Sequence, residues 1–268
     1  MRADPELLRD LIATTPGIVT RPVRGRPEAA IRAAEAVTGP LPRSFRWWLA
    51  EYGEGSLRGC PIATVDPGPG SGEPGLARDR PGGDRLWFFE DDDHERYGFA
   101  LDRAADEEWP VVVHSPFTGE EQPFADSFAG FLTVWAALAT GSGEGPNPAV
   151  ARLWRATPGV RLPDGGTLYG PHTLRARNDA REVPASAPHW VLVGEDGGGA
   201  GLFMRRHGRD RSSLYRVPAG PLRGDLADGG ELLSTDLFTW LDRPTGPGRP
   251  HGSDRPAGPD RPSGPANT

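Results

Sequence analysis

The chain has 268 residues, with 30 arginines and no lysine set against 37 acidic residues, for a formal net charge of -7. That balance excludes a broad basic surface for phosphate backbones, so direct nucleic-acid binding is not expected. One cysteine excludes an internal disulfide and any cysteine-rich metal site, and the length suits one large domain or two small ones.

The first residues, MRADPELLRD, lack the apolar core of a signal peptide, and no apolar run approaches the roughly 20 residues that cross a bilayer. A cytoplasmic protein without membrane contact is the expectation. Residues Pro5 to Ala13 read as a short amphipathic helix through Leu7, Leu8, Leu11 and Ile12, which TTPG ends before IVTRPV extends. A second helix begins at Pro27, with Ile31, Ala34 and Val37 as its apolar face and Gly39-Pro40 as its stop.

The stretch from Leu41 to Cys60 organises the first half of the chain. Phe45, Trp48, Leu49 and Tyr52 recur at helical spacing, Pro42 starts the helix and Gly53 stops it, and Ser56 to Ile62 then runs as a strand. Residues Asp66 to Asp84 have almost nothing to bury and read as an inserted loop. From Leu86 the pattern is a strand, then the acidic run Glu90, Asp91, Asp92, Asp93, His94, Glu95, then a returning strand from Tyr97 to Leu101. WPVVVHS makes a third strand, FTGEEQPF a connection, and Asp126 or Ser127 caps a helix whose buried side is Phe128, Phe131, Leu132, Trp135 and Leu138.

After Gly141 the chain starts again. NPAVARLWRATPGVRLP echoes DPELLRDLIATTPGIVTRP, DGGTLYGPHTL echoes GEGSLRGCPI, HWVLVGEDGGGAGLFM echoes LWFFEDDDHERYGFAL, and STDLFTWL echoes the core of the closing helix. The separation between copies drops from 142 positions (Thr15 to Thr157) to 111 (Leu57 to Leu168), so about 31 residues are missing from the second copy. That gap falls on the helices of Pro27 to Thr38 and Leu41 to Tyr52. A sheet stripped of those helices would expose an apolar face, which predicts packing against the first copy or a partner. Beyond Leu241, the pattern D-R-P-x-G-P recurs three times with nothing to bury, which predicts a disordered tail that is dispensable for folding.

The chemistry of the residues is sparse. The acidic run offers adjacent carboxylates rather than the spaced D-x-D-x-D-G loop that wraps a hard cation, so no metal site is expected there. GEDGGGAG lacks the spacing of a phosphate loop and carries two acids, so it reads as a hairpin turn. The six histidines are scattered, no nucleophile elbow is present, and Cys60 has no activating motif. The reading is a protein that is not an enzyme and needs no cofactor.

The helix entered as E-A-V-T-G-P-L-P and continued as F-R-W-W-L-A-E-Y-G-E-G-S-L-R-G resembles the opening of a SUKH domain (the Smi1/Knr4 group). LWFFEDDDHERYGFALD, WPVVVHSP and DSFAGFLTVWAAL then follow that family's order of strand, acidic turn, strand, strand and closing helix. The expected fold is α+β: two SUKH-like units, each a mostly antiparallel sheet with helices on one side, at residues 1–143 and 147–242, with the second abbreviated and the tail at 243–268. A single continuous domain is the competing arrangement. The resemblance implies a bacterial immunity protein that neutralises a cognate polymorphic toxin, often a nuclease, by direct binding. The alternative it implies is a regulatory or scaffold protein without a toxin. A basic toxin domain would be met by Glu90, Asp91, Asp92, Asp93 and Glu95, expected to be exposed and unnecessary to the fold, with Trp47 as a further contact.

Overall fold

The computed structural model describes residues 2–20, 25–67, 74–78, 83–222 and 224–243. The chain is α+β, with every strand pairing between named strands antiparallel. The expected tail lies outside the described residues from position 244 onward. Arg243 itself belongs to the fold, its Nη1 donating to the Leu233 carbonyl at 3.1 Å.

The first half opens with helix α1 (Pro5–Thr14), whose Asp4 side chain accepts from the amides of Glu6 and Leu7 and whose Leu8, Leu11 and Ile12 are buried. Strand β1 (Ile18–Thr20) follows; the rest of IVTRPV lies outside the described residues. Helices α2 (Glu28–Thr38) and α3 (Arg43–Glu51) lead into β2 (Gly55–Leu57) and β3 (Cys60–Pro61), which complete a three-stranded sheet ordered β1-β2-β3. Gly55 has to be glycine, because a Cβ there would stand 2.5 Å from the Trp48 ring and 2.8 Å from the Val19 carbonyl oxygen.

The segment read as a loop contains a short strand, β4 (Ala77–Arg78), which pairs with β5 (Arg85–Glu90); residues 68–73 and 79–82 of it lie outside the described residues. Strands β6 (Arg96–Ala100), β7 (Val111–His114) and β8 (Glu121–Ala125) complete a five-stranded sheet ordered β4-β5-β6-β7-β8. The connection read at FTGEEQPF is therefore largely β8, an edge strand that tolerates Pro123 because its outer side has no ladder partner.

Helix α4 (Phe128–Ala139), capped by Ser127 through the Gly130 amide, is apolar all round. Such a helix has to be covered on every side. Phe128, Phe131, Leu132 and Trp135 pack into the first core, whereas Ala137 belongs to a second one, and Leu138, expected to be buried, is exposed.

The second half repeats the first with a different cover. Helix α5 (Pro148–Ala156) is capped by Asn147 as α1 is by Asp4, and β9 (Val160–Arg161) pairs with β10 (Thr167–Leu168) as β1 pairs with β2. Here the expected echo of GEGSLRGCPI fails in its last residues. Pro171, at the place of Cys60, starts helix α6 (Pro171–Ala180), which α7 (Val183–Ser186) follows. Helix α6 packs on β11 (Trp190–Glu195), so the second sheet carries its own helix rather than standing bare. Leu174 and Asn178, one turn apart, face inward, and Asn178 both donates to the Leu192 carbonyl and accepts from the Leu192 amide.

Strands β12 (Gly201–Arg205) and β13 (Leu214–Val217), helix α8 (Leu226–Gly229), β14 (Glu231–Ser234) and α9 (Leu237–Leu241) close a six-stranded sheet ordered β14-β13-β12-β11-β10-β9. The irregularities recur with the strands. The β5/β6 ladder slips between Trp87 and Phe89 and β11/β12 between Leu192 and Gly194; β7/β8 slips at Val111/Val112 and β13/β14 at Leu214/Tyr215.

The halves meet along α4 and α5. The Asp126 amide donates to the Arg155 carbonyl at 2.8 Å and the Ser127 hydroxyl to the Ala156 carbonyl at 2.7 Å, so the entry to one helix satisfies the carbonyls left open at the end of the other. Helix α1 reaches across as well, Arg161 pairing with Asp4 at 3.2 Å and with Glu6 at 2.5 Å, and His172 Nε2 lying 3.1 Å from Asp10.

Burial holds His172 below the ordinary imidazole value, with Asp10 opposing that shift. A depressed histidine contributes stability that is present above its unfolded pKa of about 6.5 and lost as pH falls through the native value. Replacing His172 by Gln should therefore flatten the part of the stability-versus-pH profile just below pH 6.5, as read by urea unfolding; an unchanged slope there would contradict this role.

Candidate functional site

The acidic run sits on the β5–β6 turn, and the structure divides it by role. Asp91 is half-buried and holds the turn: its Oδ1 accepts from the amides of Asp93 and Glu95, both at 3.0 Å, while its own amide donates to the Glu95 carbonyl at 3.1 Å. The His94 amide donates to the Asp91 carbonyl at 3.0 Å, with His94 in the left-handed region at φ 60°. The Tyr97 hydroxyl reaches both Asp91 Oδ2 at 3.2 Å and Glu95 Oε2 at 3.3 Å, and burial followed by those two carboxylates raises the phenol well above its usual value. Asp91 and Glu95 are thus not the fully exposed, dispensable carboxylates expected from their place in a polar run. Glu90, Asp92 and Asp93 are exposed.

The same turn occurs in the second half without the charges. Asp196 Oδ1 accepts from the amides of Gly198 at 3.0 Å and Ala200 at 2.8 Å, the Asp196 amide donates to the Ala200 carbonyl at 3.0 Å, and the Gly199 amide donates back to the Asp196 carbonyl at 3.0 Å. Gly199 takes the positive φ that His94 takes, where glycine carries no steric penalty. One aspartate and a permissive fourth residue suffice to close this turn. Asp92 and Asp93, which stand where the other copy has Gly197 and Gly198, add nothing that the turn needs.

Beside the turn lies an open groove of about 840 Å³, lined by Cys60, Ala63, Trp87, Glu90, Asp92 and Arg96 among others. The Arg96 guanidinium lies 4.6 Å from the Trp87 ring centroid. The Cys60 thiol donates to Asp92 Oδ1 at 3.2 Å, and burial together with that carboxylate pushes it up to about 11. At neutral pH it is a protonated hydrogen-bond donor and a poor nucleophile. No group of three or more His, Cys, Asp or Glu side chains among the described residues is placed to hold a metal ion.

Trp47 does not line this groove. It is half-buried on α3, with the Tyr52 ring edge-on at 5.7 Å and the Arg9 guanidinium 5.6 Å from its centroid, while Arg9 is tied to Glu51 at 2.9 and 3.0 Å. Its indole face is already occupied from within the fold.

Two structural residues near α3 belong to no sequence motif. Glu108, in the approach to β7, is buried and accepts from both the amide and the hydroxyl of Ser44 at 2.8 Å, while Ser44 Oγ accepts from the Ala129 amide at 3.2 Å. Arg26 closes the other end, pairing with buried Glu54 at 2.6 Å and donating to Thr64 Oγ1 at 3.1 Å. A carboxylate three positions from a strand is ordinary in a loop, and only the fold turns its side chain inward.

No protein-family model matches the chain, and no curated protein matches it. No helix among the described residues is long and apolar enough to cross a membrane.

Proposed function

We propose that this chain is a non-catalytic protein-binding module, an immunity protein of the SUKH type that neutralises a cognate basic toxin domain, such as a nuclease, by sitting directly on it. The observation that carries this reading is the contrast between the two matching turns. Asp92 and Asp93 replace glycines that close the same turn with the same four hydrogen bonds, so closure of the turn gains nothing from their side chains, and neighbouring like charges repel. Carboxylates kept where the backbone does not require them suit recognition of positive charge. A nuclease has to be basic where it holds phosphate, and exposed acids on a rigid turn steer such a partner in while losing little side-chain freedom. The adjoining groove with Trp87 supplies an apolar patch next to the charge.

A charge-neutral variant that spares the turn is Glu90→Gln with Asp92→Asn and Asp93→Asn, leaving Asp91 in place. Its thermal midpoint should match or slightly exceed that of the wild type. Its association rate with the cognate toxin domain should fall by about tenfold or more at low salt and converge with wild type as salt rises. Asp91→Ala is the control: it should lower stability by about 1–3 kcal/mol through unpaired turn amides. Equal low-salt association rates for wild type and the neutral variant would remove the acidic turn from the binding face.

A further inference from the structure

A second concave site lies on the seam between the two halves, remote in character from the acidic turn. It has a volume of about 860 Å³ and receives Arg152 and Arg155 from α5, Arg206 from the end of β12, and Arg211 from the turn before β13. Arg152 and Arg155 are three positions apart on one helix and so share a face. His207 adds a fifth basic group, while Asp126 and Glu144 are the acids on the wall. Four guanidinium groups against two carboxylates leave an excess of positive charge, in a chain whose net charge is -7.

Several arginines elsewhere in this protein are paired with carboxylates: Arg26 with Glu54, Arg85 with Asp102 and Glu121, Arg181 with Glu195, Arg205 with Asp225. None of the four seam arginines forms an ion pair with a described carboxylate; the Arg152 guanidinium lies 4.1 Å from the centroid of the Phe238 ring. Arg155 Nε is buried with no hydrogen-bond partner among the described residues. Arg206 spends its Nε on the Trp190 carbonyl at 3.0 Å, and burial alone, with no carboxylate opposing it, draws its guanidinium below the usual value. A half-buried cation without a counter-ion and an orphaned buried donor are both unfavourable, so a fold that keeps both is suited to an anion that satisfies them.

We propose that the seam groove binds a phosphate-bearing small molecule of about nucleotide size. Guanidinium forks match phosphate oxygens in pairs, which favours phosphate over a diffuse negative surface. The volume falls within the range of roughly 300–1,000 Å³ typical of small-molecule sites. Pro123 and Phe124, which line the same groove, offer an apolar surface to a ring. A concave site of this volume suits a small molecule better than the broad folded surface of another protein. Because the walls come from both halves, occupancy should also tighten the seam.

Isothermal titration and thermal unfolding of the full chain with ADP and with inorganic pyrophosphate test this. Both should bind saturably and raise the thermal midpoint, ADP more strongly because of its ring. Arg152→Gln with Arg211→Gln, both exposed positions, should leave the fold intact by circular dichroism and weaken binding by about tenfold or more, since two charge-assisted contacts are lost. Arg155→Lys, which keeps charge but loses the fork, should also weaken binding. The Asp92→Asn, Asp93→Asn variant should bind both probes as wild type does, which separates this site from the proposed toxin-binding turn. Absence of saturable binding of either probe at millimolar concentration, or equal binding by wild type and the Arg152/Arg211 variant, would overturn the proposal. So would a single-stranded oligonucleotide that binds more tightly than ADP at matched phosphate concentration, because that outcome makes the seam a polynucleotide track.

Discussion

Gly130→Ala should be among the most damaging single substitutions in the protein, although alanine is the better helix former by about 1 kcal/mol. Gly130 lies in the first turn of α4, and a Cβ built on it would stand 1.7 Å from the Arg155 carbonyl oxygen and 2.4 Å from its carbonyl carbon. Both atoms are backbone, so no side-chain rotation can relieve the clash. The obstacle falls beside the hydrogen bonds from Asp126 and Ser127 into the end of α5, and separating the helices would break those as well. Overpacking costs typically about 1–3 kcal/mol and here should reach or pass the upper end, because the contact is rigid and carries the seam. For a chain of this size about 3 kcal/mol corresponds to a midpoint lowered by roughly 6–12 °C. Ala139→Gly, on the exposed end of the same helix, should lose only the propensity of about 1 kcal/mol. If Gly130→Ala melts within a degree of wild type, the close approach of α4 and α5 is wrong.

Glu108→Ala should cost about 2–4 kcal/mol, since it leaves the Ser44 amide and hydroxyl without their buried acceptor and opens a void between α3 and the β7 approach. Burial raises the Glu108 carboxyl above its ordinary value, while the two bonds from Ser44 pull the other way without overcoming it. For a raised carboxyl the native state binds the proton more tightly than the unfolded chain. Its contribution to stability therefore falls as pH rises from the unfolded value, about 4.3, to the raised native one, and is constant above that. Glu108→Gln can still accept from the Ser44 amide and has no charge to bury, so it should restore most of the loss and abolish that segment of pH dependence. Urea unfolding of the three proteins between pH 4 and 7 reads both effects; equal stabilities for the alanine variant and wild type would show that Ser44 finds another partner.

Local periodicity and self-similarity carry all that is legible in the linear order of residues. The helical spacing of Phe45, Trp48 and Leu49, the strand runs at Leu86, Tyr97, Val111, Trp190 and Leu202, and the cap at Ser127 follow from side chains acting on their own few neighbours. The repeat is readable because it preserves such local signals, down to the aspartate that opens each turn. Helix α6 escapes notice because beyond its starting proline, Pro171, it buries only Leu174 and Asn178 fully, and an inward-facing asparagine does not register as an apolar position.

Which charges belong to the fold is settled in three dimensions alone. Asp91 and Asp92 are adjacent and identical in the sequence, yet one is folded onto backbone amides and the other meets solvent and the Cys60 thiol. Glu108 and Glu107 differ in the same way, the former buried on Ser44 and the latter exposed. Whether α4 needs covering on one side or all round depends on α5, which lies beyond Gly141 in the chain, and the seam arginines meet only because the second half folds back on that helix. Hydrogen bonding and desolvation act through space over a few ångströms, and residues brought that close by folding leave no period in the linear order.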